Sequence, residues 1–486
     1  MEGVDPYKLM PRDVLCVGLN PAFQTTLHFE MFNKGGVNRS FKKTHSIGGK
    51  GQNFVMACEQ YGQHDRVTLL QFVGGMTGTF ITQVLEEKNI HQINVRTRKA
   101  TRTCTTVLDQ MAGDMTELIE PTGLIRRQER EELETYAETL IANGIGGLRA
   151  IALCGTYPTG ISGSTYARIA RAKPANLVLL LDAYKDVTEV LSTGQVDIFK
   201  INHEELVALV QEVERLSRQT SDTLRVEVLR ERSRSPSDAG DRYATMSIPE
   251  LAGRLLRRYN IRLLGVTNGP ESAYLFYSPT HYVIFDLPSL PDLVRTLRAQ
   301  RRPIPDYSDT ASMSSSLPSP VMLDEIGDDI MRLRLSRAST GGSFGLGGRG
   351  ESDLMNGSGA ISPASSAHSE RLQRSCNRKD AEAEVLLNPL GAGDTASAVF
   401  LMEYIDTRDA VDAFRRGIAA ASASCLVTEQ TAHFDTVIMD AVYERIRVHE
   451  VSPGDIDTDG DMRSASAGIS AVEHCAIPMS SRDTLA

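Results

Sequence analysis

The stretch NPLGAGDTASAVF (388–400) places two glycines and an aspartate directly before a run of small and apolar residues. The preceding residues EVLL (384–387) predict a strand, and the following residues predict a helix with an apolar stripe. Gly391, Ala392 and Gly393 therefore lie at a strand-to-helix turn. The free N–H groups and the positive dipole of a helix start bind anions such as phosphate.

Asp394 follows these glycines and has two interpretations. As a structural residue, it is an acidic side chain that stabilises the first turn of a helix. As a functional residue, it is a general base held beside a phosphate that will be attacked. Short glycine motifs often occur by chance, so this stretch taken alone favours the structural interpretation.

Around this stretch the chain alternates short apolar runs with helical patterns, and each run ends at Gly, Asn or Asp. Buried strands that alternate with helices predict an α/β fold. We expect a Rossmann-like, mostly parallel sheet that is flanked by helices on both faces. The runs are 13–20, 66–75, 149–155, 176–183, 197–202 and 261–269.

Other stretches alternate apolar and polar residues, which predicts half-buried strands. They lie within about 22–47 and 101–120. We expect them to form a small second sheet. Ligands of open parallel sheets bind at the C-terminal ends of the strands, so a sheet inserted after the first strand would cover that edge as a lid.

The composition and net charge of the chain limit the classes of molecule that it is expected to bind. The chain has 486 residues, of which 41% are hydrophobic and 23% are charged, as in ordinary globular proteins. Its formal net charge of −10 argues against nucleic acid or an anionic membrane surface as a partner. Seven cysteines without a CxxC pair indicate reduced thiols, and no apolar run reaches a membrane-spanning length. We therefore expect a cytoplasmic protein.

Three segments differ in composition from the rest. Residues 211–245 form a charged insertion, which we expect to be a loop that is partly helical. Residues 291–382, rich in Ser, Gly, Pro and Arg, and the tail 452–486 have too few apolar residues to offset the entropy of ordering, which predicts disorder. The basic run RLRLSRAST suggests regulatory phosphorylation at Ser336 or Ser339; a passive insertion is the alternative.

A second glycine-rich stretch, IGGKGQNFVMACEQYG (47–62), also opens a helix. Gly48 and Gly49 let the backbone approach a polar ligand, Lys50 offers a mobile cation, and Asn53 offers a donor and an acceptor. This combination suits a ligand rich in hydroxyl groups or phosphate. The alternative is an ordinary helix start with a solvated lysine.

Two further stretches, KINHEEL (200–206) and GVTNGPESAYLF (265–276), lie at predicted strand ends. Asn202 and Glu205 share one face of a helical turn, and together they could hold Mg²⁺ through water. The alternative is a capped helix at the surface. Thr267 and Gly269 lie in a turn between two strands, where they could contact phosphate or ribose; the alternative is a plain hairpin.

The order and spacing of these stretches resemble the PfkB, or ribokinase-like, carbohydrate kinase family. The resemblance covers about 12–290 and 384–445, and it is nearest to the 1-phosphofructokinase and tagatose-6-phosphate kinase branch. It implies a ribokinase-like kinase domain over 12–290 and 384–450. The paired motifs GGKGQN and NPLGAGD are its specific part. Other matching stretches are GLNPA (18–22), NRS (38–40), FVGGMTGTFI (72–81), TRTC (101–104) and CGTYPTG (154–160).

The resemblance implies transfer of the γ-phosphoryl group of ATP to a hydroxyl of a sugar phosphate, with ATP and Mg²⁺ as cofactors. Asp394 would match the general base, and the amides of Gly391, Ala392 and Gly393 would form the anion hole. We expect the positive helix end to keep Asp394 ionised at neutral pH.

The resemblance also assigns the two substrates. Arg39 and Arg102 would bind the phosphate that the sugar already carries, and Asn202 and Glu205 would organise Mg²⁺ through water. The full sugar set is Gln24, Arg39, Gly48, Gly49, Lys50, Asn53 and Arg102. The nucleotide set is Lys200, Asn202, Glu205, Thr267, Asn268 and Gly269.

Gln24 is the most consequential departure from the family pattern, because the branch typically carries there an aspartate that contacts sugar hydroxyls. Tyr157 and Thr159 also replace the usual residues near the expected sugar pocket. Two alternative functions stay open: a kinase of an unphosphorylated sugar or nucleoside, and a non-catalytic sugar or nucleotide sensor. Lid strands in this family often pair between subunits, so a homodimer through the lid is expected.

Overall fold

The computed structural model describes residues 11–144, 147–224, 243–299, 387–427 and 431–455. These residues form a ten-stranded sheet flanked by helices and a separate four-stranded sheet. The predicted α/β class, with a mostly parallel sheet and a small second sheet, is confirmed.

The strands are β1 (Val14–Gly18), β2 (Ala22–Phe29), β3 (Lys42–Gly48), β4 (Val67–Val73), β5 (His91–Arg96), β6 (Arg102–Asp109), β7 (Asp114–Ile119), β8 (Ala150–Cys154), β9 (Val178–Asp182), β10 (Ile198–Asn202), β11 (Leu263–Thr267), β12 (Ala273–Ser278), β13 (His281–Asp286) and β14 (Arg447–Val451). The helices are α1 (Lys50–Gln60), α2 (Gly75–Glu87), α3 (Arg127–Asn143), α4 (Gly163–Arg171), α5 (Thr188–Ser192), α6 (His203–Leu224), α7 (Ile248–Arg258), α8 (Leu290–Ala299), α9 (Ala392–Thr407), α10 (Ala410–Ser424) and α11 (Thr436–Tyr443).

The main sheet has the order β14-β13-β12-β11-β10-β9-β8-β1-β4-β5. From β5 to β11 neighbouring strands are parallel, and β12, β13 and β14 extend the sheet as antiparallel strands. Every residue of β1, β8 and β9 is buried, because helices cover both faces. The six strands predicted from apolar runs are all present, as is β12; β5, β13 and β14 were not predicted.

The small sheet has the order β3-β2-β6-β7 and lies after β1 in the chain, as predicted. β2 pairs in parallel with β6, while β3 and β7 pair antiparallel with their neighbours. We refer to this four-stranded sheet as the lid.

Two predictions about irregular segments need correction. Disorder from residue 291 is wrong for 291–299, because Leu293, Val294 and Leu297 form one apolar face of α8 and are buried. Disorder from residue 452 is wrong for the short turn Pro453–Asp455.

The charged insertion begins as helix, since α6 continues to Leu224. Residues 225–242, 300–386 and 456–486 lie outside the described residues, and with them lie Ser336, Ser339 and the predicted strand at 384–386. Leu387, the last residue of that predicted strand, is not in a strand. Within the described ranges, the helices are all too short or too polar to cross a membrane.

The C-terminal end of α9 is held by ion pairs of Asp406 with two arginines. Asp406 accepts hydrogen bonds from the guanidinium groups of Arg66 at 2.8 Å and Arg149 at 2.6 Å, which precede β4 and β8. These bonds, with Arg66 the larger contributor, lower the pKa of Asp406 to about 2. The anchor fixes the direction of α9, whose other end carries Asp394.

The C-terminal ends of the parallel strands meet at one edge of the main sheet. Gly18, Cys154 and Asp182 lie in register as the last residues of β1, β8 and β9. Asn202 and Thr267 occupy the same level at the ends of β10 and β11. The predicted motifs therefore converge at this edge, beneath the lid strand β3.

Candidate active site

The glycines before and within α1 allow its first turn to press against the end of β1. Gly49 has a φ of 108°, and a Cβ there would lie 2.4 Å from Oε1 of Gln52 and 2.9 Å from the carbonyl oxygen of Asn20. A Cβ on Gly51 would lie 2.3 Å from the Cα of Gly18. No side chain fits in these places, so glycine at 49 and 51 is what lets α1 begin directly against the end of β1.

Asn53 joins α1 to the start of α9. Its Nδ2 donates to Oδ2 of Asp394 at 2.8 Å, and its Oδ1 accepts from the hydroxyl of Thr431 at 3.1 Å. The Asp394 side chain is thereby fixed in orientation and is 6% exposed. The two motifs that carry the family resemblance are thus in direct contact.

The ionisation of Asp394 differs from the sequence-based expectation. Burial raises the pKa of Asp394, and the carboxylate of Asp182 raises it further; Lys50, the bond from Asn53 and Lys200 oppose the shift. The resulting pKa is about 7. At that pKa the carboxyl is ionised only in part at neutral pH, whereas the helix end was expected to keep it ionised, because burial favours the neutral acid.

Lys50 is engaged within the protein. Its Nζ lies 2.7 Å from Oδ1 of Asp182 and 3.2 Å from Oε1 of Glu205. Burial disfavours the ammonium ion, but these carboxylates outweigh it and raise the pKa of Lys50. Neither a mobile cation nor a solvated lysine describes this residue; it is a charged bridge between α1, β9 and α6.

Asp182 was not predicted as a site residue. It ends β9, it is 1% exposed, and its Oδ2 accepts from the hydroxyl of Ser397 at 2.6 Å. Burial would raise its pKa, but Lys50, Lys200 and Ser397 together lower the pKa below its ordinary value. An aspartate that closes an apolar run at the ligand-binding edge was the sequence signal available for it.

Asn202 and Glu205 form the capped helix start that the sequence allowed as an alternative. The amide N–H of Asn202 donates to Oε2 of Glu205 at 3.1 Å, and the amide of Glu205 donates to Oδ1 of Asn202 at 2.8 Å. Lys200, on the preceding strand, is 2% exposed. Its Nζ lies 2.7 Å from the position of a Cβ on Gly393, which brings its charge to the start of α9.

The turn before Asp394 has the predicted form, with one difference. Gly391 has a φ of 76° and caps α9, which begins at Ala392. The amide of Ala392 donates to the carbonyl of Pro389 at 3.2 Å. Among the described residues, the amides of Gly391 and Gly393 form no such bond, so of the three amides predicted to form an anion hole these two are left as donors.

The turn after β11 lies next to the end of β10. Thr267 pairs in register with Asn202. The carbonyl of Asn268 accepts from the amide of Glu271, and Gly269 has a φ of 57° with no atom within 4 Å of the position of a Cβ. The predicted hairpin is present, and its turn has room for a ligand.

The lid places Gln24 and Arg102 near the glycines but leaves Arg39 apart. Nε2 of Gln24 donates to the Thr106 hydroxyl at 2.6 Å, and its Oε1 lies 3.1 Å from the position of a Cβ on Gly48. Arg102 donates to the carbonyls of Asn20 and Pro21 at 3.2 and 3.4 Å. Arg39 is exposed in the loop between β2 and β3, and among the described residues it forms no bond to the other predicted site residues.

A family model described as pfkB family carbohydrate kinase matches residues 12–226. The likeness to this family is thereby established over residues 12–226. The family prediction made from the motifs is therefore confirmed.

Curated proteins similar to this chain include a tagatose-6-phosphate kinase of Staphylococcus epidermidis, 29% identical over 205 residues, and a 1-phosphofructokinase of Bacillus subtilis, 29% identical over 194 residues. Both matches cover 40% of this chain. The chain spans 62% of the length of the first relative and 61% of the second.

Solved structures extend the likeness to the fold as a whole. Phosphofructokinase-2 from Escherichia coli in complex with substrates and products has a TM-score of 0.55 at 15% identity, and the match covers 89% of this chain and 98% of that one. The tetrameric inhibited form of the same enzyme has a TM-score of 0.54 at 15% identity and covers 90% and 99%. At this identity the likeness establishes the fold alone, and it extends over the part of the chain that carries Asp394.

Proposed function

We propose that this protein is an ATP-dependent kinase of a sugar phosphate. The observation that carries the proposal is the first turn of α9, where buried Asp394 lies beside the amides of Gly391 and Gly393 and the ammonium of Lys200. A base for a hydroxyl proton and an anion site for a phosphoryl group thus occupy one helical turn. A pKa of about 7 suits a base that works at neutral pH.

The proposed step is a direct transfer. Asp394 takes the proton of the sugar hydroxyl, the hydroxyl oxygen forms a bond to the γ-phosphorus of ATP, and the bond from that phosphorus to the β–γ bridging oxygen breaks, which releases ADP. The amides of Gly391 and Gly393, with Lys200, stabilise charge on the transferring group. The bond from Asn53 keeps Oδ2 of Asp394 occupied, so Oδ1 is the oxygen left to accept the proton.

We place the sugar over Gly48 and Gly49, between the lid and Asp394. Gln24 presents Oε1 toward Gly48 as a hydrogen-bond acceptor, with its amide held by Thr106. Arg102, with donors left over after its two backbone contacts, is the proposed partner of the phosphate on the sugar. Arg39 would reach that phosphate only from a moved loop or from a partner subunit.

We place the nucleotide over Thr267, Asn268 and Gly269, where the hairpin turn leaves space. The carboxylate of Glu205 already accepts from Asn202 and Lys50, so it fits Mg²⁺ through a bound water and does not fit direct ligation. When bound, the ion would neutralise charge on the phosphates of the nucleotide.

Two alternatives share the fold. A kinase of an unphosphorylated sugar would use the same base without a need for Arg102. A non-catalytic sensor would need no base. Burial of a carboxylate that has a raised pKa lowers the stability of the folded protein, and a protein that only binds its ligand would gain nothing in return. The burial of Asp394 therefore favours an enzyme.

We further propose that the protein forms a homodimer through the lid. Several apolar side chains of the lid and its loops are more than half exposed, which is unusual for side chains without a partner surface. They are Val37, Phe41, Met111, Leu118 and Ile119.

The test is ADP release with ATP, Mg²⁺ and a panel of acceptors: fructose 1-phosphate, fructose 6-phosphate, tagatose 6-phosphate, fructose, ribose and adenosine. We expect turnover with a sugar phosphate. The variant Asp394→Asn should lower kcat by about 10²- to 10⁴-fold, because it cannot take the proton. Binding of the sugar phosphate by this variant, measured by calorimetry, should be retained.

Each outcome decides between the candidates. Turnover with fructose, ribose or adenosine in preference to their phosphates would favour the first alternative. ATP binding without turnover of any acceptor would favour the sensor. Turnover that survives in Asp394→Asn would remove the assignment of the base.

A further inference from the structure

A small cavity lies where the lid joins the main sheet, next to the proposed sugar site. Its walls come mainly from residues 19–21 after β1, from the loop 97–101 with the start of β6, and from residues 122–125 after β7. The polar and charged residues of its lining are Asn20, Thr97, Lys99, Thr101, Arg102 and Thr122. Lys99 belongs to none of the motifs that carry the family resemblance.

We propose that Lys99 is a specificity-determining residue that binds, together with Arg102, the phosphate already present on the sugar. The inference rests on the proposed function and deepens it. It makes recognition of a phosphate monoester depend on two cations that lie three positions apart in the sequence, Lys99 in the loop before β6 and Arg102 at the start of β6.

The charges of both residues are available to a ligand. Arg102 donates to two neutral backbone carbonyls, and Lys99 is exposed. In the part of the chain that the structure describes, neither side chain forms an ion pair, although the field of Arg102 reaches Glu117 on β7. A dianionic phosphate would supply the missing counter-charge, and two cations bind it better than one.

The backbone of the loop that carries Lys99 is held by close contacts with Gly74, Thr97 and Gly123. The carbonyl oxygen of Lys99 lies 2.0 Å from the position of a Cβ on Gly74 and accepts from the Thr97 hydroxyl at 2.8 Å. The Cβ of Lys99 lies 2.6 Å from the position of a Cβ on Gly123. Because this backbone is already ordered, a ligand needs to immobilise the side chain alone, which lowers the entropic cost of binding.

The cavity and Asp394 lie on two sides of Gly48 and Gly49. The carbonyl of Asn20, a cavity residue, packs against Gly49. Asn53 lies one turn further along α1 and holds Asp394. A sugar over Gly48 and Gly49 can therefore place a phosphate at Lys99 and Arg102 and a hydroxyl at Asp394, as the transfer to a sugar phosphate requires.

The experiment compares Lys99→Ala with Arg98→Ala, an exposed cation in the same loop that does not line the cavity. With the sugar phosphate that the wild type uses, Lys99→Ala should raise KM about tenfold and leave kcat and the KM for ATP within about twofold. Arg98→Ala should match the wild type. Lys99→Arg, which keeps the charge, should restore most of the affinity.

A calorimetric titration of the same proteins with each sugar phosphate separates this inference from the proposed function. If the wild type binds a sugar phosphate without turnover, the proposed function fails, and weaker binding by Lys99→Ala still supports the phosphate site. Equal KM and Kd in Lys99→Ala and Arg98→Ala would overturn the inference while the kinase assignment stands. No binding of any sugar phosphate by the wild type would overturn both.

Discussion

At the scale of single residues, Asp394 shows how position and ionisation have different causes. Its position follows from the helix start that it occupies. Its pKa of about 7 follows from burial and from Asp182, which lies 212 positions away in the sequence. Lys50 and Lys200 lower the pKa of Asp182, so Asp394 is the carboxyl group of the two that takes up a proton as pH falls through about 7.

This pKa makes the folded state depend on pH. In the unfolded chain the carboxyl titrates near 3.8, and in the folded protein near 7. The folded state thus binds the proton more tightly, so its stabilising effect is full below about pH 4 and is lost as pH rises through 7. Relative to Asp394→Asn, the wild type should lose up to about 1.4 kcal/mol per pH unit across this window.

Urea unfolding at pH 5, 6 and 8 measures that difference. The exposed Asp440, changed to Asn, serves as the control and should show a constant offset from the wild type. A difference between the wild type and Asp394→Asn that does not grow with pH would contradict the raised pKa.

At the scale of elements, the start of α2 depends on close backbone contact. The amide of Gly74 donates to the Thr101 hydroxyl at 3.1 Å, and its carbonyl accepts from the amide of Thr101 at 2.9 Å. Gly75 and Gly78 would place a Cβ 2.7 and 3.0 Å from Ala100 and the carbonyl carbon of Val73. These contacts align the loop 97–101 and therefore the start of β6, where Arg102 lies.

Gly74→Ala should destabilise the protein by about 1–3 kcal/mol, since its Cβ would overlap the Lys99 carbonyl and the loop must move. Thermal and urea unfolding measure the loss. Gly147→Ala is the matched control, because a Cβ there would meet no atom within 4 Å. If the two variants were equally stable, the loop would have moved to accommodate the added Cβ with no loss in the free energy of unfolding.

At the scale of the whole molecule, the proposed dimer would cover apolar surface that the chain leaves exposed. Leu118 and Ile119 are 55% and 58% exposed on the lid strand β7. Neighbouring residues of a strand point to opposite faces, so both must change to remove the apolar surface whichever face pairs.

Sedimentation should find a dimer for the wild type and a monomer for the double variant Leu118→Asp, Ile119→Asp, because a buried unpaired carboxylate disfavours association. Val437→Asp, at an apolar residue that is 64% exposed outside the lid, should remain dimeric. A monomeric wild type, or a double variant that stays dimeric, would remove the lid interface from the proposal.

Much of this protein could be predicted from its sequence because the signals are local. Apolar runs closed by Gly, Asn or Asp marked β1, β4, β8, β9, β10 and β11, since a buried strand and its turn are encoded within a few residues. The glycines at 48–51 and 391–393 marked the two helix starts that meet at the site. The helix α8 was missed because its three apolar residues open a segment whose overall composition is polar.

The tertiary structure alone decided which partners these residues have. It joined Asn53 to Asp394 over 341 positions and tied Lys50 to Asp182 and Glu205. It also buried Asp394 and brought Asn20 and Thr122 together with Lys99 and Arg102 in the lining of one cavity. Charge, burial and distance between residues far apart in the chain arise only when the sheet and the lid are assembled, so the sequence determined the elements and the fold determined the chemistry between them.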